Sequence, residues 1–330
     1  MKALVLESDH TLHLKEVVRP TPATGEVLIK VNASALNHRE LWIQKGLYPG
    51  MRLPCILGAD GAGVVIEVAD NVDKSWIGKS VIIYPANEWG DNPKAPNKTY
   101  KVLGMPIDGT IAEYISVSSN LIVEKPSYLS HTEAAALPIA SLTSWRALVT
   151  HGGIRDGHRI LITGIGGGVA QAGLSIALTH GAEVYVTSSS QAKIDDAITK
   201  GAKGGVNYRD EDWHKQLKAI TEGIDIVLDS SPSPKLDDYF HFMHYGGRIV
   251  TYGSTGSPNT TISISKFFLR QIQFIGTTMG SIAEFKAVID FMAKHKIKPE
   301  VSQVFRMEDS LDAIEALRAG NQIGKIVIEH

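Results

Sequence analysis

The chain has 330 residues, more than one hydrophobic core of ordinary size can fill and enough for two domains. Basic and acidic side chains nearly balance, 33 against 35, and the net charge of -2 gives no electrostatic reason to expect nucleic acid or an anionic membrane as partner. The single cysteine, Cys55, excludes an intramolecular disulfide and a cysteine-rich metal site, and points to a reducing compartment, the cytosol.

Up to residue 125 the chain reads as strands and turns. KALVLE, GEVLIKVNAS, AGVVIEVA, KSVIIYPA and IAEYISVS are β-rich runs separated by Pro, Gly, Asn and Asp. The first residues alternate apolar and polar, with no basic segment before an apolar core, so no signal peptide is expected. No run approaches about 18 apolar residues, so no membrane span is expected. A helix is predicted to start near Asn37, in NHRELWIQKG, and residues 85–106, rich in Pro and Asn, read as a long surface loop. After Pro126, HTEAAALPIASLTSWRALVTHGG has helical periodicity. Strand and helix patterns then alternate through HRILITG, VAQAGLSIALTHG, EVYVTSS and QAKIDDAITKG, and further strands follow in GIDIVLDS, GRIVTYGS and QIQFIGTT. This order predicts βαβ units in a parallel, doubly wound sheet. FKAVIDFMAKHKI and VFRMEDSLDAIEALRAG read as helices and GKIVIE as a last strand.

Two glycine runs compete for the part of a phosphate loop: LGADGAGVV at 57–65 and TGIGGGVA at 163–170. Only the second has the required context, an apolar strand before it, an apolar helix after it and a second strand beyond. Bare glycines at Gly164, Gly166, Gly167 and Gly168 let the backbone approach a pyrophosphate, and the helix N-terminus adds free N–H groups and partial positive charge. The strict G-x-G-x-x-G form is not met, because Val169 takes the third position. G-x-x-G-x-x-A is met by Gly164, Gly167 and Ala170. An NAD site places an acid at the end of the second strand, for the ribose hydroxyls. Here stand Ser188, Ser189 and Ser190, then Lys193, with no acid before Asp195. Hydroxyls and an ammonium suit a ribose 2′-phosphate, so NADPH is the expected cofactor. The competing reading is an ordinary polar strand end.

With these motifs in order, the whole chain resembles the medium-chain dehydrogenase/reductases, and within them the zinc-type alcohol dehydrogenase-like and zinc-free quinone oxidoreductase branch. The resemblance implies an α/β fold with a Rossmann NADP-binding domain (126–284), doubly wound and parallel, inserted in a β-rich GroES-like catalytic domain (1–125 and 285–330). LGADGAGVV is similar to the segment in which the zinc enzymes carry Gly-His-Glu-Gly. By the same likeness Asn37 stands where a zinc-binding cysteine would, and Ala59 where the histidine would. LPIASLTS has no third ligand, residues 85–106 lack the four cysteines of a structural site, and Asp60 alone cannot hold the metal. No metal is expected. Without zinc as Lewis acid, the implied reaction is hydride delivery from NADPH to quinones, enones or enals, whose conjugation spreads the negative charge. Reduction of aldehydes is the first competitor, and a non-catalytic NADPH-binding sensor or crystallin-like protein the second.

The resemblance also assigns residues. Asn37 would project toward the nicotinamide and donate to a substrate carbonyl; its other reading, a helix N-cap, is compatible with this. His38 and Tyr48 are further catalytic candidates, set against solvated or structural roles. Thr143 resembles the position near the nicotinamide end and Tyr208 an adenine-side contact. Ser230, then Gly253, Ser254 and Thr255, then Thr277, Thr278, Met279 and Gly280 end successive strands, where doubly wound sheets bind ligands; ordinary turns are the alternative. His241 and His244, three apart, would make a metal pair on one helix face but have no third ligand. Cys55 reads as buried and not as a nucleophile. A homodimer through QIQFIGTT is carried over from the family.

Overall fold

Apolar residues fill most of Glu26–Ala35, and seven of these ten residues are buried, with Glu26 and Asn32 partly buried and only Lys30 exposed. The computed structural model describes residues 1–256 and 258–330. Its contacts divide the chain into two units, Met1–Ile139 with Gly280–His330, and Ala140–Met279.

In the first unit Glu26–Ala35 is the axis of a seven-stranded sheet. Asp60–Val68 pairs antiparallel along one edge, while Tyr114–Ser118 and Lys325–Glu329 share the other. Ser80–Ile83 and Ile122–Glu124 continue the sheet beyond Asp60–Val68, and Val301–Arg306 lies parallel beside Lys325–Glu329. Register decides what meets at the end of the axis. Ala35 lies opposite both Asp60 and Val327. The same antiparallel count, carried two residues further, sets Lys325 level with Asn37.

The glycines of LGADGAGVV serve this packing. A Cβ on Gly63 would stand 2.1 Å from the Lys30 carbonyl oxygen, a backbone atom that cannot yield. Gly58 has φ +95, a left-handed conformation suited to glycine, and its Cβ would meet Thr110 and Ile111. The run lets neighbouring strands close on one another.

The second unit is a six-stranded parallel sheet ordered Gly204–Asn207, Glu183–Ser188, Arg159–Ile162, Ile224–Asp229, Met243–Thr251, Gln273–Gly276. The strand first in the chain therefore sits inside, and the order reverses on its two sides, as the α/β expectation requires. Helices Gly168–Thr179, Gln191–Thr199 and Trp213–Ile220 follow the first three strands in the chain. Strands such as Ile224–Asp229 are buried almost throughout, which explains their continuous apolar runs.

Several expectations change. Residues 85–106 are not one loop: Ala86–Asn87, Lys101–Leu103 and Pro106–Ile107 form a small sheet. Buried Trp89 meets Tyr100 edge-on at 5.4 Å. VFR belongs to the strand Val301–Arg306, and the helix begins only at Ser310. The helical run after Pro126 is broken into His131–Ala135, Pro138–Trp145 and a π-helical turn, Arg146–His151. His241 closes a 3-10 turn and His244 lies on the strand Met243–Thr251, so they do not share a helix face; His244 pairs with Asp225 at 2.8 Å. The division between units falls at 139/140 and 279/280, not at 125/126 and 284/285, because His131–Ala135 packs on Glu26–Ala35, Asp60–Val68 and Lys325–Glu329. Among the described residues, no helix is long and apolar enough to cross a membrane.

Candidate active site

At the carboxyl end of the parallel sheet, Arg159–Ile162 runs into Gly164, whose φ of +64 turns the chain toward the helix. Gly167 is the N-cap of Gly168–Thr179, and the Gln171 N–H donates to its carbonyl at 3.0 Å. Val169 and Ala170 fall in the first turn; the Val169 carbonyl accepts from Ser144 Oγ at 2.6 Å, and Ala170 is buried. A Cβ on Gly173, one turn further on, would reach 2.5 Å from Leu228, so close helix–sheet packing also relies on a glycine outside the fingerprint.

Ser188 ends the second strand and accepts the Ser190 N–H at 3.1 Å. Ser190 is the N-cap of Gln191–Thr199 without a side-chain cap bond. Lys193 folds back over the loop: a Cβ on Gly166 would lie 2.8 Å from its Nζ. Burial there holds the ammonium pKa below its ordinary value. The Tyr208 N–H donates to the Ser188 carbonyl at 3.2 Å, and its ring is half exposed. Ser189 lies between them, partly buried.

A buried carboxylate organises the same edge. Asp229 accepts from Thr163 Oγ1 at 2.8 Å, the Ser231 N–H at 3.0 Å and the Tyr239 hydroxyl at 3.0 Å. Burial raises its pKa and these donors oppose the rise. Ser230 donates its N–H to Thr163 Oγ1 at 3.0 Å, and its carbonyl accepts from Thr255 Oγ1 at 2.8 Å. Gly253 allows the close approach to the Ser230 carbonyl, while Ser254 is exposed. Thr277 joins the sheet edge through its N–H to the Thr251 carbonyl at 2.9 Å. Its Oγ1 is buried without a hydrogen-bond partner among the described residues. Thr278 is exposed and Met279 buried. Thr143 is buried on Pro138–Trp145.

The first unit gathers a different set. Lys325 Nζ donates to Asp60 Oδ2 at 2.8 Å and to Asn37 Oδ1 at 2.6 Å. Asn37 Nδ2 donates to the same Asp60 oxygen at 2.9 Å, and Asp60 Oδ1 accepts the Ile139 N–H at 2.9 Å. Asp60 is fully buried and Lys325 nearly so. Asn37 is not the N-cap of Arg39–Gln44; His38 is, without a cap bond, and it is exposed. The Asn37 N–H instead goes to buried Glu40 at 2.6 Å. Burial raises the Glu40 pKa, with Arg39 the leading opposing influence. Tyr48 is partly buried beside Arg39. Burial pushes the Cys55 thiol up to about 12, with Asp108 adding to it, so it stays protonated and inert.

Residues 23–127 match the alcohol dehydrogenase GroES-like domain and residues 168–294 the zinc-binding dehydrogenases. The chain is 36% identical to zinc-type alcohol dehydrogenase-like protein YogA of Leptosphaeria maculans, over 97% of this chain and 95% of that one. The chain belongs to the medium-chain dehydrogenase/reductase superfamily. Acryloyl-coenzyme A reductase of Metallosphaera sedula is 27% identical, with 99% of each chain covered. The crystal structure of an NAD-dependent alcohol dehydrogenase superposes with a TM-score of 0.93 at 32% identity, covering 100% of both chains. This medium-chain dehydrogenase/reductase is thus an oxidoreductase of the alcohol dehydrogenase-like kind, from a family that binds a nicotinamide cofactor. The bare loop at Gly164–Gly168 fits the cofactor's pyrophosphate.

Zinc does not fit the donor set. An amide stands at Asn37 and a methyl at Ala59, and the one carboxylate, Asp60, is already shared by an ammonium and an amide. Among the described residues, no three His, Cys, Asp or Glu side chains gather as a metal site. Lys325 escaped sequence reasoning, although the register that aligns GKIVIE with Ala35 would have pointed to it.

Proposed function

We propose that this chain is an NADPH-dependent reductase that works without a metal and delivers hydride to quinones or conjugated carbonyls. The observation that carries the reading is the Lys325–Asn37–Asp60 network, in which Asn37, at the position where the resemblance calls for a zinc-binding cysteine, is held by hydrogen bonds to Lys325 and Asp60. With no Lewis acid, a simple alkoxide is poorly stabilised for hydride loss. An acceptor that spreads charge by conjugation needs only hydrogen bonds to its oxygen. The acryloyl group in the name of the Metallosphaera sedula relative is a conjugated acyl group of this kind.

When bound, the reduced nicotinamide supplies the hydride. Gly164, Gly166, Gly167 and Gly168, with Val169 and Ala170 behind them, leave backbone free for phosphate oxygens. Ser188, Ser189, Ser190 and Lys193 supply hydroxyls and an ammonium to the ribose 2′-phosphate. Tyr208 takes the adenine side, and Thr143, Ser230, Gly253–Thr255 and Thr277–Met279 line the rest. Asn37, His38 and Tyr48 are the candidates for binding the acceptor oxygen, and the proton comes from one of them or from water. A cytosolic homodimer completes the reading.

The likeness to an NAD-dependent alcohol dehydrogenase favours one other reading, reduction of aldehydes. Thermal melts with NADPH, NADH, 2′-AMP and 5′-AMP test the cofactor half. Stronger stabilisation by the two 2′-phosphorylated compounds supports the proposal, and equal or weaker stabilisation refutes it. A protein that binds NADPH and reduces no acceptor would instead be a sensor.

A further inference from the structure

We propose that Arg39 is a positioning residue that fixes Tyr48 with its phenolic O–H unspent, as the donor to the acceptor's oxygen; this deepens the reductase reading and rests on it. Of the three side chains that the sequence offers for that oxygen, Asn37 has both ends of its amide engaged, Oδ1 by Lys325 and Nδ2 by Asp60. His38 is exposed and has no hydrogen bond to hold it, among the described residues. Tyr48 differs from both. Its ring packs against the buried cluster that contains Leu41, Cys55, Leu57 and Met105.

Arg39 is only 11% exposed, and its fork is spent on fixed acceptors. Nη1 donates to the Leu103 carbonyl at 2.8 Å and Nη2 to the Met105 carbonyl at 3.1 Å. Nη1 also lies 3.5 Å from Glu40 Oε1. Two charge-assisted bonds in a planar fork hold the guanidinium in one place. It lies over the Tyr48 ring at 4.7 Å, and Nε reaches the Tyr48 hydroxyl oxygen at 3.4 Å. That bond is long, so the stacking holds the ring while Nε biases the oxygen to act as acceptor. A hydroxyl that accepts from a cation is a stronger donor through its own hydrogen. Among the described residues that hydrogen has no protein acceptor, although a tyrosine hydroxyl packed at a core edge usually finds one. A ligand oxygen that gains negative charge, on a quinone or a conjugated carbonyl, is the chemistry it suits.

The test uses wild type, Tyr48→Phe, Arg39→Met, Arg39→Lys and the Tyr48→Phe/Arg39→Met double variant. Each is saturated with NADP+ and titrated with benzylideneacetone, which reads enone binding without turnover, and each is assayed for the KM of NADPH. Losing one hydrogen bond to a partly charged oxygen should weaken enone binding about tenfold in Tyr48→Phe. Arg39→Met should lose a similar factor, the double variant no more than the larger single loss, and Arg39→Lys should recover part of it. The KM of NADPH should not change in any variant. Unchanged enone binding in Tyr48→Phe, or losses that multiply in the double variant, would overturn the proposal. If Arg39→Met fails to fold, Tyr48→Phe and Arg39→Lys still decide it. A wild type that binds the enone without oxidising NADPH would refute the reductase reading while this comparison still judges Arg39.

Discussion

The Lys193 ammonium lies against Gly166, and burial draws its pKa below the ordinary value, so a phosphate placed beside it would favour the charged form. A charge-assisted hydrogen bond lost on binding costs about 1.5–3 kcal/mol. Lys193→Ala should therefore weaken NADPH about 10- to 100-fold and leave NADH within about twofold, as read by fluorescence titration of the two reduced cofactors. Ser188→Asp should reverse the preference, because a carboxylate repels the 2′-phosphate and accepts ribose hydroxyls. Equal losses for both cofactors in Lys193→Ala would place the lysine on the shared pyrophosphate. At this scale the sequence was legible where function depends on residues near in the chain. The serines and Lys193 lie within six positions of one another. Lys325 was not legible, because its partners Asn37 and Asp60 are brought to it only by strand pairing across nearly the whole chain.

Among the elements, the strands that carry the first unit's polar network depend on bare backbone at Gly63. Its Cβ would stand 2.1 Å from the Lys30 carbonyl oxygen, with Ile29 and the Val31 backbone also inside contact distance. Because backbone of a paired strand cannot move aside cheaply, Gly63→Ala should cost about 3 kcal/mol or more, visible as a lower denaturation midpoint with Gly276→Ala, whose Cβ would meet open space, as the control. A Gly63→Ala protein as stable as wild type would show that the two strands approach less closely than described. Long apolar elements were readable from periodicity: five of the six parallel strands and Gly168–Thr179 fell where expected, while the short, glycine-rich strand Gly204–Asn207 and the helix Trp213–Ile220 were not expected. The strands within 86–107, two or three residues each, have no period to detect. Val301–Arg306 was absorbed into the helical pattern that follows, since only its parallel pairing with Lys325–Glu329 marks it as a strand.

For the whole molecule, assembly is read from the edge of the parallel sheet. Gln273–Gly276 is an outermost strand, Phe274 on it is 41% exposed, and the preceding helix Ile264–Leu269 leaves Ile264, Phe268 and Leu269 60% or more exposed. An apolar edge of this kind favours cover by another chain, which the proposed homodimer would supply. Phe268→Asp with Phe274→Lys should shift the particle from dimer to monomer by light scattering; a wild-type monomer at micromolar concentration would contradict the homodimer. The central claim, metal-free reduction with NADPH, is tested most directly by initial rates of NADPH and NADH oxidation with a simple quinone and a conjugated enal, on chelator-treated protein. Turnover with NADPH, little with NADH and no loss after chelation is the predicted result. Activity that requires added zinc, or that follows NADH, would contradict it.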